Sequence, residues 1–275
     1  MNPDGRLVEI AASFERVGLR FLVMGGHAVR YYGISRDTLD FDFHLSLAAK
    51  QDLLNCLQKT GLFGSEVPTE LVSWRGSDFR RFLLGHLPSG KEEWLEFWFH
   101  NHLLAPFEEL HARREEGVVA DRRLPFLALP DLIRSKETER ESDWQDVALL
   151  EEIFDTRSLA KAGDFETKIA ALAGLRSRRG YRLAEEKGFF RDAAMLAGGL
   201  EAARNPITKA MLLPSIPDAP EAGVSEIPGL IAAPLRTVTP GSPRHFALVE
   251  ATRRVYRQSA IAADRADKQR VRTGQ

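Results

Sequence analysis

Apolar and polar positions recur along this chain with two rhythms, and the mixture of them changes near residue 155. In residues 6–18, Leu7, Ile10, Ala11, Phe14 and Val17 recur at three- and four-residue spacing, which predicts a helix with one buried stripe. The run "RFLVMGG" (20–26) is short, apolar and closed by two glycines, so it reads as a buried strand and a tight turn. "HAVRYYG" (27–33) predicts a helix ended by Gly33. Strict alternation over 38–45 predicts a strand, and helical spacing returns over 47–60 with Ser46 as its N-cap. "DFRRFLLGHL" (78–87) and "EWLEFWFHN" (93–101), joined through Pro88 and Gly90, predict a hairpin. Residues 107–116 read as a helix and 123–129 as a strand. A further helix runs from Pro130 to about Arg140, and another follows Ser142. Beyond residue 155 only helical spacing remains, over 164–175, 178–202 and 244–270. Residues 203–243 hold 8 of the 14 prolines, which predicts an irregular connector. The expected fold class is therefore α+β, a small mixed sheet flanked by helices over 1–154, followed by a helical region over 155–275.

The strand at 38–45 raises a question of charge. Asp40 and Asp42 alternate with Leu39, Phe41, Phe43 and Leu45, so both carboxylates share one face. Like charges at that range repel and raise each other's pKa. One wet face of an edge strand would account for them, and His44 on the same face suits a solvated surface as well as an active site. Glu96 argues otherwise. It interrupts "WLEFWF", a strand apolar on both faces and hence central, where an unpaired carboxylate costs several kcal/mol. A cation, a metal, protonation or an arginine such as Arg81 should compensate it. Three oxygen-bearing side chains on neighbouring strands would suit Mg²⁺ or Mn²⁺ better than zinc.

Charge and composition narrow the class further. The net charge is −1, with 44% apolar and 28% charged residues, which is globular composition. Residues 1–150 carry 18 Lys/Arg against 24 Asp/Glu, net −6, and residues 151–275 carry 20 against 15, net +5. No stretch approaches the ~18 apolar residues that span a bilayer. The first residues lack the basic start and apolar run of a signal peptide, and Cys56 is a single cysteine. A cytoplasmic protein is the expectation.

Taken together, Gly25-Gly26, a thirteen-residue spacer, "DFDF" and the later "LEF" resemble the nucleotidyltransferase superfamily of DNA polymerase β. Its pattern is a hydrophobic residue and two small residues, then Asp-hydrophobic-Asp, then a third acid on a later strand. "GISRDTLDFDF" and the segment "LIRSKETERESDWQD" (132–146) look most like the small bacterial AbiEii-type toxins. The resemblance covers about residues 6–154 and implies that residues 1–154 form a nucleotidyltransferase domain. It implies that Gly25 and Gly26 hold a nucleoside triphosphate together with Arg36, Lys136 and Asp143. It further implies that Asp40 and Asp42 ligate two Mg²⁺ ions, and that Glu96 ligates one and helps deprotonate the acceptor. Glu stands at the third acid position, where Asp is common in the superfamily. The implied acceptor is an RNA such as tRNA, a protein or a small molecule, and an antitoxin is an implied partner.

Other readings compete with this one. Lys136, Arg140 and Asp143 also suit a solvated helix face, being spaced four and three residues apart. "HNH" at 100–102 lacks any downstream metal-ligand pair, so ordinary strand-end histidines are expected. "RSRRGYR" (176–182) and "RRVYRQ" (253–258) could hold phosphate backbones with Tyr181 or Tyr256 stacked on a base, but suit solvated helix faces better. The rival functions are a non-catalytic module that retains the fold and a nucleotide hydrolase using the same acids.

Overall fold

The structure is a computed structural model and describes residues 3–71, 78–216 and 229–273. It divides into two compact units, Met1–Asp146 with Asp264–Gln275, and Val147–Ala263.

The first unit is built on a mixed sheet. Its strands are β1 (Phe21–Val23), β2 (Asp40–Leu45), β3 (Glu70–Leu71), β4 (Phe79–His86), β5 (Glu92–Trp98), β6 (Glu115–Val119) and β7 (Arg122–Phe126), in the order β3-β4-β5-β2-β1-β7-β6. β2 runs parallel to β5 and antiparallel to β1, and β4 and β5 form the expected antiparallel hairpin. Its turn is closed by Leu87 N–H to the Lys91 carbonyl at 2.7 Å. β5 lies between β4 and β2, so it is the central strand that its two apolar faces predicted.

One side of the sheet is an aromatic core. Phe41, Phe43 and Leu45 of β2 and Leu95 and Phe97 of β5 are buried there. Helix α1 (Pro3–Arg16) drives Phe14 among them, its ring edge-on to Phe43 at 5.0 Å and to Phe21 at 5.6 Å. Burying one such ring contributes roughly 1.5–3 kcal/mol. Helix α2 (Gly25–Tyr31) follows β1 directly.

Several expected elements change shape. Residues 47–60 form a 3₁₀ turn, Leu47–Lys50, and a separate helix α3 (Leu53–Thr60), and the Ser46 side chain makes no capping bond. The helix expected at 107–116 stops early as α4 (Phe107–Ala112), because the chain enters β6 at Glu115. The β6–β7 hairpin turns on Ala120 (φ 44°) and Asp121 (φ 66°). Both lie in the left-handed region that primed hairpin turns need, without the Asn-Gly pair that announces such turns. Helix α5 (Leu129–Ser135) is shorter than predicted, and α6 (Glu141–Lys161) is longer.

The second unit is all helix among its described residues. After α6 come α7 (Phe165–Ala173), α8 (Arg178–Glu186), α9 (Ala193–Ala202), α10 (Pro206–Leu212), α11 (Gly229–Leu235) and α12 (Pro243–Thr273), whose last turns belong to the first unit. The single helix expected over 178–202 breaks at Gly188 (φ 77°), and Asp192 caps α9 by accepting from Ala194 N–H at 2.9 Å. Part of the expected connector is regular. Pro206 sits at the start of α10, where its missing N–H costs nothing, and Asn205 caps the helix. Residues 217–228 lie outside the described residues. Leu172, Tyr181, Leu196, Leu212 and Val249 are among the residues of this unit's own apolar core.

Candidate functional site

Strand register brings the three acids together. Asp42 on β2 lies directly opposite Glu96 on β5, and Asp40 stands two residues away on the same face. The reverse face of both strands is the aromatic core, so the pleat alone turns the carboxylates away from it. Glu96 is largely enclosed, and its carboxyl is pushed up to about 9 by burial, then by the charges of Asp42 and Asp40 and a hydrogen bond with Asp42, against the pull of Arg81. Burial and the neighbouring Asp42 also raise Asp40, while Arg81 and Arg140 oppose them.

Arg81 is the cation within this cluster. It lies opposite Glu96 on β4 and places Nε 2.9 Å from Glu96 Oε1 and Nη2 3.4 Å from Asp40 Oδ1. Its guanidinium rests 4.1 Å from the centre of the Trp94 ring. Among the described residues, no three His, Cys, Asp or Glu side chains stand in a metal-ligating arrangement.

The glycine pair is explained by contact. Gly25 opens α2 at φ +60°, and a Cβ there would overlap the Asp42 carboxylate. A Cβ on Gly26 would collide with the Thr38 side chain, 2.5 Å from its hydroxyl oxygen. Met24 N–H donates to the Asp42 carbonyl at 3.0 Å, which ties the turn to β2. The small residues let the helix start lie against the acidic strand.

Lys136 belongs to a second polar cluster in the same unit. It caps the end of α5, and the chain turns through 137–140 before α6 begins, so Lys136, Arg140 and Asp143 do not form one solvated helix face. Lys136 is buried, with Nζ 3.2 Å from Asp143 and 3.4 Å from Asp146. Arg36 also pairs with Asp146. The Thr138 hydroxyl donates to Asp143 at 2.6 Å, and Trp144 Nε1–H to the Thr138 carbonyl at 2.6 Å, which shapes the turn. Burial raises the Asp143 carboxyl, but Lys136, Thr138 and Arg140 outweigh it and hold the group below its usual range. Burial lowers Lys136, against the charges of Asp143 and Asp42.

Most of these residues meet one space. A cavity of about 590 Å³ in the first unit is lined by Gly25, Gly26, Arg36, Asp40, Asp42, Glu96, Lys136 and Asp143, the whole set that the sequence singled out. Trp94, Trp98, Thr138, Asp264 and Lys268 line it too and were not anticipated. The tryptophans read as core, and Asp264 and Lys268 look like an ordinary helical pair four apart. Lys268 holds Asp264 and Glu139, each at 2.7 Å.

Three smaller readings can be set beside the structure. His44, which suited a solvated surface or an active site, is 1% exposed, and burial lowers it to about 4. His100 and His102 each face a carboxylate, Asp78 at 3.4 Å and Asp267 at 3.0 Å. Tyr181 is wholly buried, its ring edge-on to Phe246 at 5.4 Å, so it cannot stack on a base. Arg178 lies over that same Phe246 ring at 4.7 Å.

No family model matches the chain, and no curated protein does. A solved structure described as that of an antigenic nucleotidyltransferase-like protein from Paracoccidioides brasiliensis is similar at 15% identity and a TM-score of 0.36. The match covers 54% of this chain and 74% of that one. Among the described residues no helix is long and apolar enough to cross a membrane.

Proposed function

We propose that the chain is a divalent-cation-dependent nucleotidyltransferase, moving a nucleoside monophosphate from a nucleoside triphosphate to an acceptor hydroxyl. The observation that carries the reading is the cavity, where three carboxylates, the Gly25-Gly26 turn and a buried lysine face one space. The donor set fits Mg²⁺ or Mn²⁺, because it is oxygen-only and the room for the Asp42 carboxylate is kept by a residue without a Cβ. The guanidinium of Arg81 already stands among the acids as a cation of a different kind.

Asp40, Asp42 and Glu96 would hold the cations. When bound, a pair of such ions steadies the attacking and leaving oxygens of an in-line displacement. In that displacement the acceptor oxygen bonds to the α-phosphorus and the bond to pyrophosphate breaks. Glu96, once ionised, is placed to take the acceptor's proton. Lys136 and Arg36 supply positive charge toward the phosphates, and Asp143 and Asp146 hold that lysine in place. The resemblance to AbiEii-type toxins further implies a toxin-like enzyme acting on RNA, a protein or a small molecule, with an antitoxin as partner.

The test is incubation with each α-³²P-labelled NTP, Mg²⁺ and total tRNA, with Asp42→Asn as control. Label on RNA or on protein, lost in the variant, supports transfer; free labelled NMP would mean a hydrolase instead. A second reading, a binding module without catalysis, is favoured by the Arg81 pairing, which neutralises acids without a metal. It predicts nucleotide binding that Mg²⁺ does not strengthen.

A further inference from the structure

Arg81 is built into the acid cluster from three directions. Its backbone position is set by β4–β5 register, directly opposite Glu96. Its guanidinium reaches Glu96 at 2.9 Å and Asp40 at 3.4 Å, spanning two of the three acids. It sits over the ring of Trp94, which is buried. The side chain is nonetheless one-third exposed and lines the cavity, so its head has room to leave. A guanidinium over an indole ring, hydrogen-bonded to Asp40 and ion-paired with Glu96, is pre-organised, and it loses little freedom by staying there. Two acid oxygens are thereby committed to a cation that belongs to the protein.

We propose that Arg81 is the resident counter-cation of this site and a positioning residue for it. A divalent cation then occupies Asp40, Asp42 and Glu96 only by displacing the guanidinium from Asp40 and Glu96. This rests on the reading above, that the three acids hold a divalent cation. It accounts for a carboxylate trio on a central sheet that tolerates its own charge. Once released, the guanidinium is free to meet a polyphosphate arriving with the cation, so loading of nucleotide and cation becomes linked.

The test is cation binding without turnover. Mn²⁺ affinity is measured by electron paramagnetic resonance of the free ion, on the full chain and on Arg81→Gln, Arg81→Lys and Asp42→Asn. Tryptophan emission is followed separately while diamagnetic Mg²⁺ is added, with Trp94→Phe as the assignment control. The expected result is that Arg81→Gln binds Mn²⁺ about 10- to 100-fold more tightly than the parent, the size of one charge-assisted contact removed. Arg81→Lys, which keeps the charge but loses the planar guanidinium, falls between them. Mg²⁺ changes the emission of the parent, and that change is missing in Trp94→Phe and in Arg81→Gln. A general field effect of removing one positive charge would leave the emission change in place. Unchanged or weaker Mn²⁺ binding in a folded Arg81→Gln, with Asp42→Asn abolishing binding, overturns the displacement and leaves the metal site standing. No Mn²⁺ binding by either the parent or Arg81→Gln overturns the metal site itself, and the displacement with it. Should Arg81→Gln fail to fold, Arg81→Lys decides alone: affinity at or below the parent's overturns the proposal.

Discussion

Glu96 in the first unit and Asp155 in the second are both buried acids, yet they are held in opposite ways. Asp155 is 1% exposed, and donors surround it: Ser177 N–H and hydroxyl at 2.6 Å each, and Arg176 N–H at 3.1 Å. Burial lifts it to about 7, while those bonds pull it down. All of the donors come from one chain turn at the start of α8, so the acid pins that turn to α6. Glu96 faces two further acids and one arginine that it shares with Asp40. An acid satisfied by local backbone is complete and has no need of a ligand. An acid left among like charges is complete only when something else arrives.

Substitutions can break or sharpen that contrast. The largest expected effect is Asp42→Asn, which should lower transfer by at least about 10³-fold, in line with losing a main electrostatic group, and leave the fold intact. Incorporation of label and a thermal melt read the two parts, and an active, fully folded variant would sink the assignment. Asp155→Asn should do the reverse. It should cost about 1–3 kcal/mol in urea unfolding, because one carbonyl oxygen replaces a charged acceptor for three donors, while cation binding at the first unit stays unchanged.

Next in size is Gly25→Ala. The left-handed φ and the overlap with the Asp42 carboxylate should together cost about 1–2 kcal/mol, and Mn²⁺ affinity should fall because Asp42 must shift. The subtlest test is Glu96→Gln in metal-free buffer. The folded value of about 9 lies above an unfolded value of ~4.3, so between them the folded chain keeps a proton that the unfolded chain has lost. Stability of the parent should therefore fall as pH rises through that window. Glu96→Gln, which mimics the protonated side chain, should flatten the decline, and denaturation at pH 5.5 and 8.5 compares the slopes. Equal slopes would show that Glu96 is already ionised beside Arg81.

Some of this was legible without coordinates, for identifiable reasons. Period-two alternation put Asp40 and Asp42 on one face, and the apolar run around Glu96 marked β5 as central, because both follow from strand geometry alone. Helix ends were less legible. Nothing local announces that α5 stops at Ser135, since the stop depends on Asp143 gathering Thr138 and Lys136 from across a turn. The β6–β7 hairpin went unread because Ala120-Asp121 adopts a conformation that those residues rarely advertise.

By itself, the sequence determined which residues could carry the chemistry and the faces they occupy, since side-chain direction within a strand is a local property of the backbone. Only the tertiary structure decided what stands beside them. Parallel pairing of β2 with β5 set Asp42 against Glu96, and register on β4 inserted Arg81 between Glu96 and Asp40. The terminal turns of α12 brought Asp264 and Lys268 to the same cavity. Those neighbours are far apart in the chain, and their juxtaposition depends on strand order and packing, which no local spacing encodes.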